Sequence, residues 1–277
     1  MDEILVRDVG KFEAIGMRSS MEDVSSVIYL NKYGCLNPEK EILYIGVFDG
    51  HSGKKTAEYA SWQLPKEIIS SVASITDIKA AIENAFMNTD EKWRRSSQDD
   101  HRDSGSCANI CLICPDRYIC ANIGDTRCVL GRDGTTVPLS FDHKPHLPEE
   151  RKRIEAAGSF VGTDFNGGKE ISRVRNLLAV SRAFGDFYFK KCPNKAARDQ
   201  AVTAFPEITE IKRDASDNFI ILACDGVWDV ITSSEAADYI YDCIDAKDTA
   251  AEAAEALGNR ALAKGSTDNV SCIVVYL

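Results

Sequence analysis

Apolar residues gather along this chain in short runs separated by polar stretches. The runs Phe12–Met17, Val24–Leu30, Ile42–Phe48, Cys107–Cys114, Tyr118–Ile123, Arg127–Gly131, Leu177–Ser181, Glu207–Ile211, Asn218–Cys224 and Val270–Tyr276 are rich in Ile and Val, which predicts buried β-strands. A helical period is rarer. Ile78, Ile82, Ala85, Phe86 and Trp93 recur at helical spacing after Asp77, a suitable N-cap. Thr232-Ser-Ser-Glu235 is a capping box ahead of Ala236, Ile240 and Ile244, and the Ala- and Glu-rich stretch Asp248–Lys264 closes at Gly265. The order is strands, a helix pair, many strands, helices and a last strand. That order predicts a segregated α+β fold rather than the alternation of a parallel sheet. Two antiparallel sheets packed face to face with helices outside, a four-layer α-β-β-α sandwich, accommodate it as one domain over residues 1–277.

Composition narrows the class. At 277 residues, 44% hydrophobic and 27% charged, the chain is an ordinary globular one. Its net charge of −10 repels phosphate backbones, so no nucleic-acid partner is expected. The longest apolar runs, such as Ile42–Phe48 and Cys272–Leu277, are far shorter than the ~20 residues a membrane span needs. The N-terminus lacks a basic-then-apolar export pattern, so a cytoplasmic or nuclear location is expected. Most of the ten cysteines sit inside apolar runs and read as buried reduced thiols. Cys111-Leu-Ile-Cys114 has redox spacing but lies in a strand-like run. The polar stretch Arg94–Ser106, with His101 beside Asp99, Asp100 and Asp103, reads as a solvated loop.

The chemical signal is acidic. The apolar strand Tyr44–Phe48 runs into Asp49-Gly50, and Phe219–Cys224 runs into Asp225-Gly226. A charge at the rim of a core is costly unless paired or bound to a cation, and a following glycine lets the backbone turn and its carbonyl face an ion. One such strand is ordinary turn chemistry; two, with further acids, point elsewhere. Those acids are Glu22-Asp23, Asp125 between two strands, Asp229 four residues after Asp225, and Asp268 before the last strand. Clustered carboxylates raise one another's pKa, and all-oxygen ligation suits Mg²⁺ or Mn²⁺.

With these motifs in hand, the chain resembles the metal-dependent protein phosphatases of type 2C. The resemblance rests on Arg18-Ser-Ser-Met-Glu22-Asp23, Val47-Phe-Asp49-Gly50-His51, Ser104-Gly-Ser106, Gly124-Asp125-Thr-Arg127, Asp142-His-Lys-Pro145, Leu178-Ala-Val-Ser-Arg182-Ala-Phe-Gly185-Asp186, Pro206-Glu207, Ala223-Cys-Asp225-Gly226-Val-Trp-Asp229 and Asp268-Asn269, in family order. It implies a Mg²⁺/Mn²⁺ pair at one edge of a β-sandwich. Asp49 would bridge the ions, Asp225 and Asp268 would hold the first, and Glu22 and the Gly50 carbonyl would serve the second. Asp125 and Asp229 match positions that, with Asp225, bind a third ion in some members.

The implied reaction is hydrolysis of phosphoserine and phosphothreonine in protein substrates by direct attack of water, without a phospho-enzyme. Arg18 would bind the phosphate and His51 would protonate the leaving oxygen. Taken alone, Arg18 also reads as a surface arginine and His51 as a structural histidine. Asp23 reads as a support for the site, and Arg182 and Asp186 as structural. A catalytically dead scaffold of the same fold is the alternative; Glu22, Asp49, Asp225 and Asp268 are all retained, which argues against it. A phosphodiesterase or nuclease would want a basic groove. No dimerisation element shows, so a monomer is expected.

The chain departs from the family pattern in two places that bear on geometry. Ser52 stands where the Asp-Gly-His-Gly-Gly motif has glycine. Arg173-Val-Arg175-Asn176-Leu177-Leu178 replaces Arg-Val-Asn-Gly-x-Leu, and it ends the stretch 158–175 that corresponds to a mobile flap beside the site.

Overall fold

A computed structural model describes residues 6–30, 42–96, 104–166 and 169–277. The stretch holding Asp99, Asp100, His101 and Asp103 lies outside the described residues. Strands β1 (Asp8–Ala14), β2 (Val24–Tyr29) and β3 (Leu43–His51) precede helices α1 (Lys55–Ser74) and α2 (Ile78–Ser96). Strands β4 (Gly105–Ile113), β5 (Arg117–Ile123), β6 (Arg127–Arg132) and β7 (Thr135–Pro138) follow, then helix α3 (Pro148–Ala156). A hairpin of β8 (Val161–Asn166) and β9 (Lys169–Val174) leads to β10 (Phe184–Gly185), β11 (Glu207–Lys212) and β12 (Asp217–Ala223). The chain ends with the short helix α4 (Asp225–Trp228), helices α5 (Ser233–Ala246) and α6 (Ala250–Ala263), and β13 (Val270–Tyr276).

Two antiparallel sheets form the centre. One has the order β1-β13-β12-β6-β7; the other runs β11-β5-β4-β3-β2, with β10 paired to β4. Side-chain alternation explains why the strands read as apolar runs rather than as alternating patterns. Leu43, Ile45 and Val47 of β3 pack with Ile220 and Leu222 of β12 and Ile273 and Val275 of β13 in the core between the sheets. The intervening Tyr44 and Phe48 pack under α1 and α2 with Leu64, Ile68, Ile82 and Phe86. Phe219, Ile221 and Ala223 face α5 and α6 with Ala236, Ile240, Ala254 and Leu257. Each central strand is therefore buried on both faces, as strands covered by helices on one side and a sheet on the other must be. The four-layer α-β-β-α sandwich is as expected.

The capping boxes at Thr232/Glu235 and Thr249/Glu252 both form. Three expectations shift. The first strand is Asp8–Ala14, not Phe12–Met17. Helix α3 is an addition, its period masked by a charged run, whereas α1, the first of the expected helix pair, buries Ala57, Ala60, Leu64 and Ile68 at helical spacing despite Pro65. Leu177–Ser181 is not a strand: Arg175 and Asn176 take positive φ of 53° and 59°, and the chain turns there, leaving only an isolated bridge between Val174 and Leu178. Cys111 and Cys114 lie buried as free thiols at β4 and its end. Among the described residues no helix is long and apolar enough to cross a membrane.

Two buried ionic groups fix the loops that reach the edge of the sandwich. Lys190 bonds Asp90 of α2 and the Ala183 carbonyl, each at 2.8 Å, and Asp90 also accepts the Gly185 amide at 2.8 Å. Glu150 of α3 accepts from Arg182 at 2.7 Å, Arg153 at 2.6 Å and Ser181 at 2.6 Å. Such buried ions persist only when fully partnered.

Candidate metal centre

Antiparallel pairing places the ends of β3, β5 and β12 and the start of β13 at one end of the sandwich. Asp49 lies on β3 in phase with Ile45 and Val47, so its side chain points between the sheets where the apolar core stops. Asp125 leaves the end of β5, Asp225 opens α4 directly after β12, and Asp268 precedes β13. Asp49, Asp125 and Asp225 each bring one carboxylate oxygen to within 4.8 Å of the others. Gly50 permits the close approach of Glu22: a Cβ there would lie 2.4 Å from the Glu22 carbonyl oxygen.

The electrostatics of this group are unbalanced. Burial pushes the Asp49 carboxyl well above its ordinary value, and Asp225, Asp23, Asp125 and Asp268 push it further. Asp225 is raised in the same way, by burial and then by Asp125 and Asp268, against the partial relief of Lys144. Asp23 lies deeper; burial lifts it to about 6, and its Oδ2 is buried with no hydrogen-bond partner among the described residues. Carboxylates crowded like this are stabilised by a cation, and an all-oxygen donor set fits a hard divalent ion. The residues present therefore fit the metal that the sequence pattern implies.

The other expected residues sit around this trio. Asp268 accepts from Arg18 Nη2 at 2.6 Å, so that guanidinium stands at the rim, largely exposed, and not apart on the surface. Glu22 accepts from the Ser20 hydroxyl at 2.9 Å and the Gly53 amide at 3.0 Å. Asp229 is exposed one turn beyond Asp225 and adds to the repulsion on it. Asp229 and Glu22 thus lie beside the trio and not within it.

Two residues gain roles that the sequence reading did not assign. Lys144 bonds Asp125 Oδ2, and its charge and hydrogen bond hold the Asp125 carboxyl below its ordinary value although burial pushes the other way. Asp186, read as structural, meets the His51 ring: Nε2 and Oδ2 are 2.7 Å apart, with Asp186 itself buried. The pair packs on bare backbone; a Cβ on Gly105 would fall 2.2 Å from both His51 Nε2 and Asp186 Oδ2. The only sequence signal for Asp186 is its place in a family motif.

Burial alone would lower the His51 pKa, but the Asp186 charge and hydrogen bond outweigh it and the net shift is upward from 6.5. The pair therefore stabilises the fold while the imidazole is charged, and that contribution is lost as pH rises through the raised value. Asp186→Asn is expected to return the His51 titration toward or below 6.5, measured by NMR of the ring protons; an unmoved titration would detach Asp186 from His51.

The chain is similar to known proteins along almost its whole length. A family model described as Protein phosphatase 2C matches residues 7–270. A protein of Arabidopsis thaliana named Probable protein phosphatase 2C 59 is 41% identical over 263 residues, covering 94% of this chain and 76% of its own. Another, Probable protein phosphatase 2C 69, is 39% identical over 269 residues, covering 96% and 69%. A solved structure of a phosphatase from a pathogenic strain of Toxoplasma gondii superposes with a TM-score of 0.82 at 26% identity, covering 96% of this chain and 91% of that one.

Proposed function

The chain belongs to the protein phosphatase 2C family, and from that premise we propose that it hydrolyses phosphoserine and phosphothreonine on proteins with two Mg²⁺ or Mn²⁺ ions held at the sheet edge. The observation that carries the reading is the convergence of Asp49, Asp125 and Asp225 from three separate strand ends. Asp49 would be shared by both ions, Asp225 and Asp268 would complete one, and Glu22 and the Gly50 carbonyl would serve the other. Asp125 and Asp229, with Asp225, would serve a third, in competition with the Lys144 ammonium for Asp125. When bound, such ions lower the pKa of water toward neutrality and offset phosphoryl charge.

The chain's own side chains supply the rest. Among the described residues Asp268 alone bonds the Arg18 guanidinium, which leaves its other N–H groups for phosphate oxygens. His51 donates Nε2–H to Asp186, and its Nδ1 has no partner among the described residues. In this reading Nδ1 gives a proton to the departing serine or threonine oxygen, while the Asp186 carboxylate holds the ring and balances the charge on the protonated form. Lys144 neutralises Asp125 and so limits repulsion when the acids are unscreened.

The test is hydrolysis of a phosphothreonine peptide and of p-nitrophenyl phosphate, with Mg²⁺ or Mn²⁺ and with EDTA. Turnover of both is expected with metal and none with EDTA. Activity that survives EDTA would contradict the metal, and no turnover of either substrate by metal-loaded protein would favour a binding scaffold of the same fold.

A further inference from the structure

An open cleft of about 310 Å³ adjoins the centre, lined by Ser52, Leu177, Leu178, Asp186, Tyr188 and Phe189. We propose that it is a substrate subsite that takes a large apolar side chain flanking the phosphorylated residue. The proposal rests on the phosphatase reading and specifies what that site selects.

The cleft is continuous with the reacting groups. Ser52 follows His51 in the chain, and Asp186, also in the lining, is the His51 partner at 2.7 Å. An occupant of the cleft would therefore lie beside the group held at His51. The rest of the lining, Leu177, Leu178, Tyr188 and Phe189, is largely apolar and partly open: Leu177 is 61% exposed and Tyr188 48%. Among the described residues neither belongs to a core cluster, and Tyr188 is held at this place edge-on against Phe189, 5.1 Å between ring centroids, so apolar surface is presented at the mouth of a polar site.

Backbone strain is concentrated at the same place. Six non-glycine residues among those described have positive φ, and four of them frame this cleft: Ser52 (57°) and Asp186 (51°) in its walls, and Arg175 (53°) and Asn176 (59°) immediately before Leu177. Side chains rarely adopt this conformation, and it persists only where the surroundings enforce it. Here they do. The Arg175 amide donates to the Phe160 carbonyl at 3.0 Å, the Leu177 amide to Val174 at 3.0 Å, and the Val174 amide to Leu178 at 2.8 Å. Ser52 and Asn176 also stand where the family pattern has glycine, so this chain keeps the glycine backbone and adds side chains to it. The cleft is thus preformed, and within its lining Ser52 is the residue that departs from the family pattern, while Leu178 and Asp186 keep it.

Charge favours an acidic peptide over a basic one, and size limits what enters to about one side chain. Arg175 and Lys191 lie over the Tyr188 ring, 5.5 Å and 5.4 Å from its centroid, and make the rim cationic on a chain whose net charge is −10. An anionic phosphopeptide meets that rim favourably and a basic one does not. The volume is at the small end of ligand pockets, roughly 300–1,000 Å³, which suits one side chain with its backbone.

The experiment compares kcat/KM for phosphothreonine peptides in which alanine is replaced by leucine at each neighbouring position in turn, with Mg²⁺ or Mn²⁺ present. One position is expected to favour leucine by roughly 10-fold or more. In Leu177→Asp, and separately in Tyr188→Ala, that leucine-to-alanine ratio is expected to fall to near unity; a general disturbance of the site lowers both peptides together and keeps the ratio. No preferred position in the wild type, or a ratio that persists in both variants, overturns the subsite. If the wild type fails to hydrolyse even p-nitrophenyl phosphate, the phosphatase reading falls instead. The leucine-to-alanine contrast is then measured as peptide affinity by fluorescence anisotropy, where equal binding of the two peptides, or a preference that persists in both variants, again overturns the subsite.

Discussion

Asp49→Asn is expected to abolish turnover of every phosphate ester and, at the same time, to make the chelated protein more stable. The two effects have one cause. Asp49 stands at the convergence of the acids, where a bridging carboxylate is needed, and its loss should exceed the roughly 10²–10³-fold penalty of deleting a single electrostatic contact. Without cations the same carboxylate is a liability. Burial and the surrounding Asp225, Asp23, Asp125 and Asp268 raise its pKa well above 3.8. A folded-state acid raised in this way holds its proton more tightly than the unfolded chain does, so stability is lost as pH rises above the ordinary carboxylate range. Asparagine removes that penalty, and a gain on the order of 1 kcal/mol at neutral pH is expected. Urea midpoints with EDTA and with Mn²⁺ measure it; metal should stabilise the wild type far more than the variant. A variant within about tenfold of wild-type turnover, or one less stable than wild type in EDTA, would remove Asp49 from the centre.

His51→Gln is expected to separate substrates by their leaving groups. A serine or threonine alkoxide needs a proton as the P–O bond breaks, whereas p-nitrophenolate does not. General acid catalysis contributes about 10²–10⁴-fold, so the phosphothreonine peptide should slow by that factor and the aryl phosphate by far less. Asp186→Asn should show the same selectivity in weaker form, because it acts by holding the ring and not by giving the proton. The comparison of kcat across a series of phosphate esters with leaving groups of graded pKa gives the answer. Equal slowing of good and poor leaving groups would dismiss His51 as the acid.

Much of the fold and part of the centre were legible because their signals are local. The apolar runs of β3, β12 and β13 mark strands buried on both faces, and that property is written residue by residue. Asp49-Gly50 and Asp225-Gly226 mark the points where those strands leave the core. The turn at Arg175-Asn176 was not legible. Asn176 signals a positive φ only weakly beside glycine and Arg175 not at all, while Leu177–Ser181 keeps an apolar, strand-like composition. The α3 helix was hidden for the opposite reason, since its exposed face carries charge almost throughout and only Glu150 and Ile154 are buried.

Composition and order along the chain were enough to determine a sandwich with acids at its strand ends, because hydrophobic burial acts on each segment through its own side chains. Which charge answers which was decided only in the folded protein. Lys144 meets Asp125 across 19 residues, Asp186 meets His51 across 135, and Arg18 meets Asp268 across 250. Electrostatic partners are chosen by distance in space, and closing loops of such different lengths changes the entropic cost only slowly, so separation along the chain carries almost no information about them.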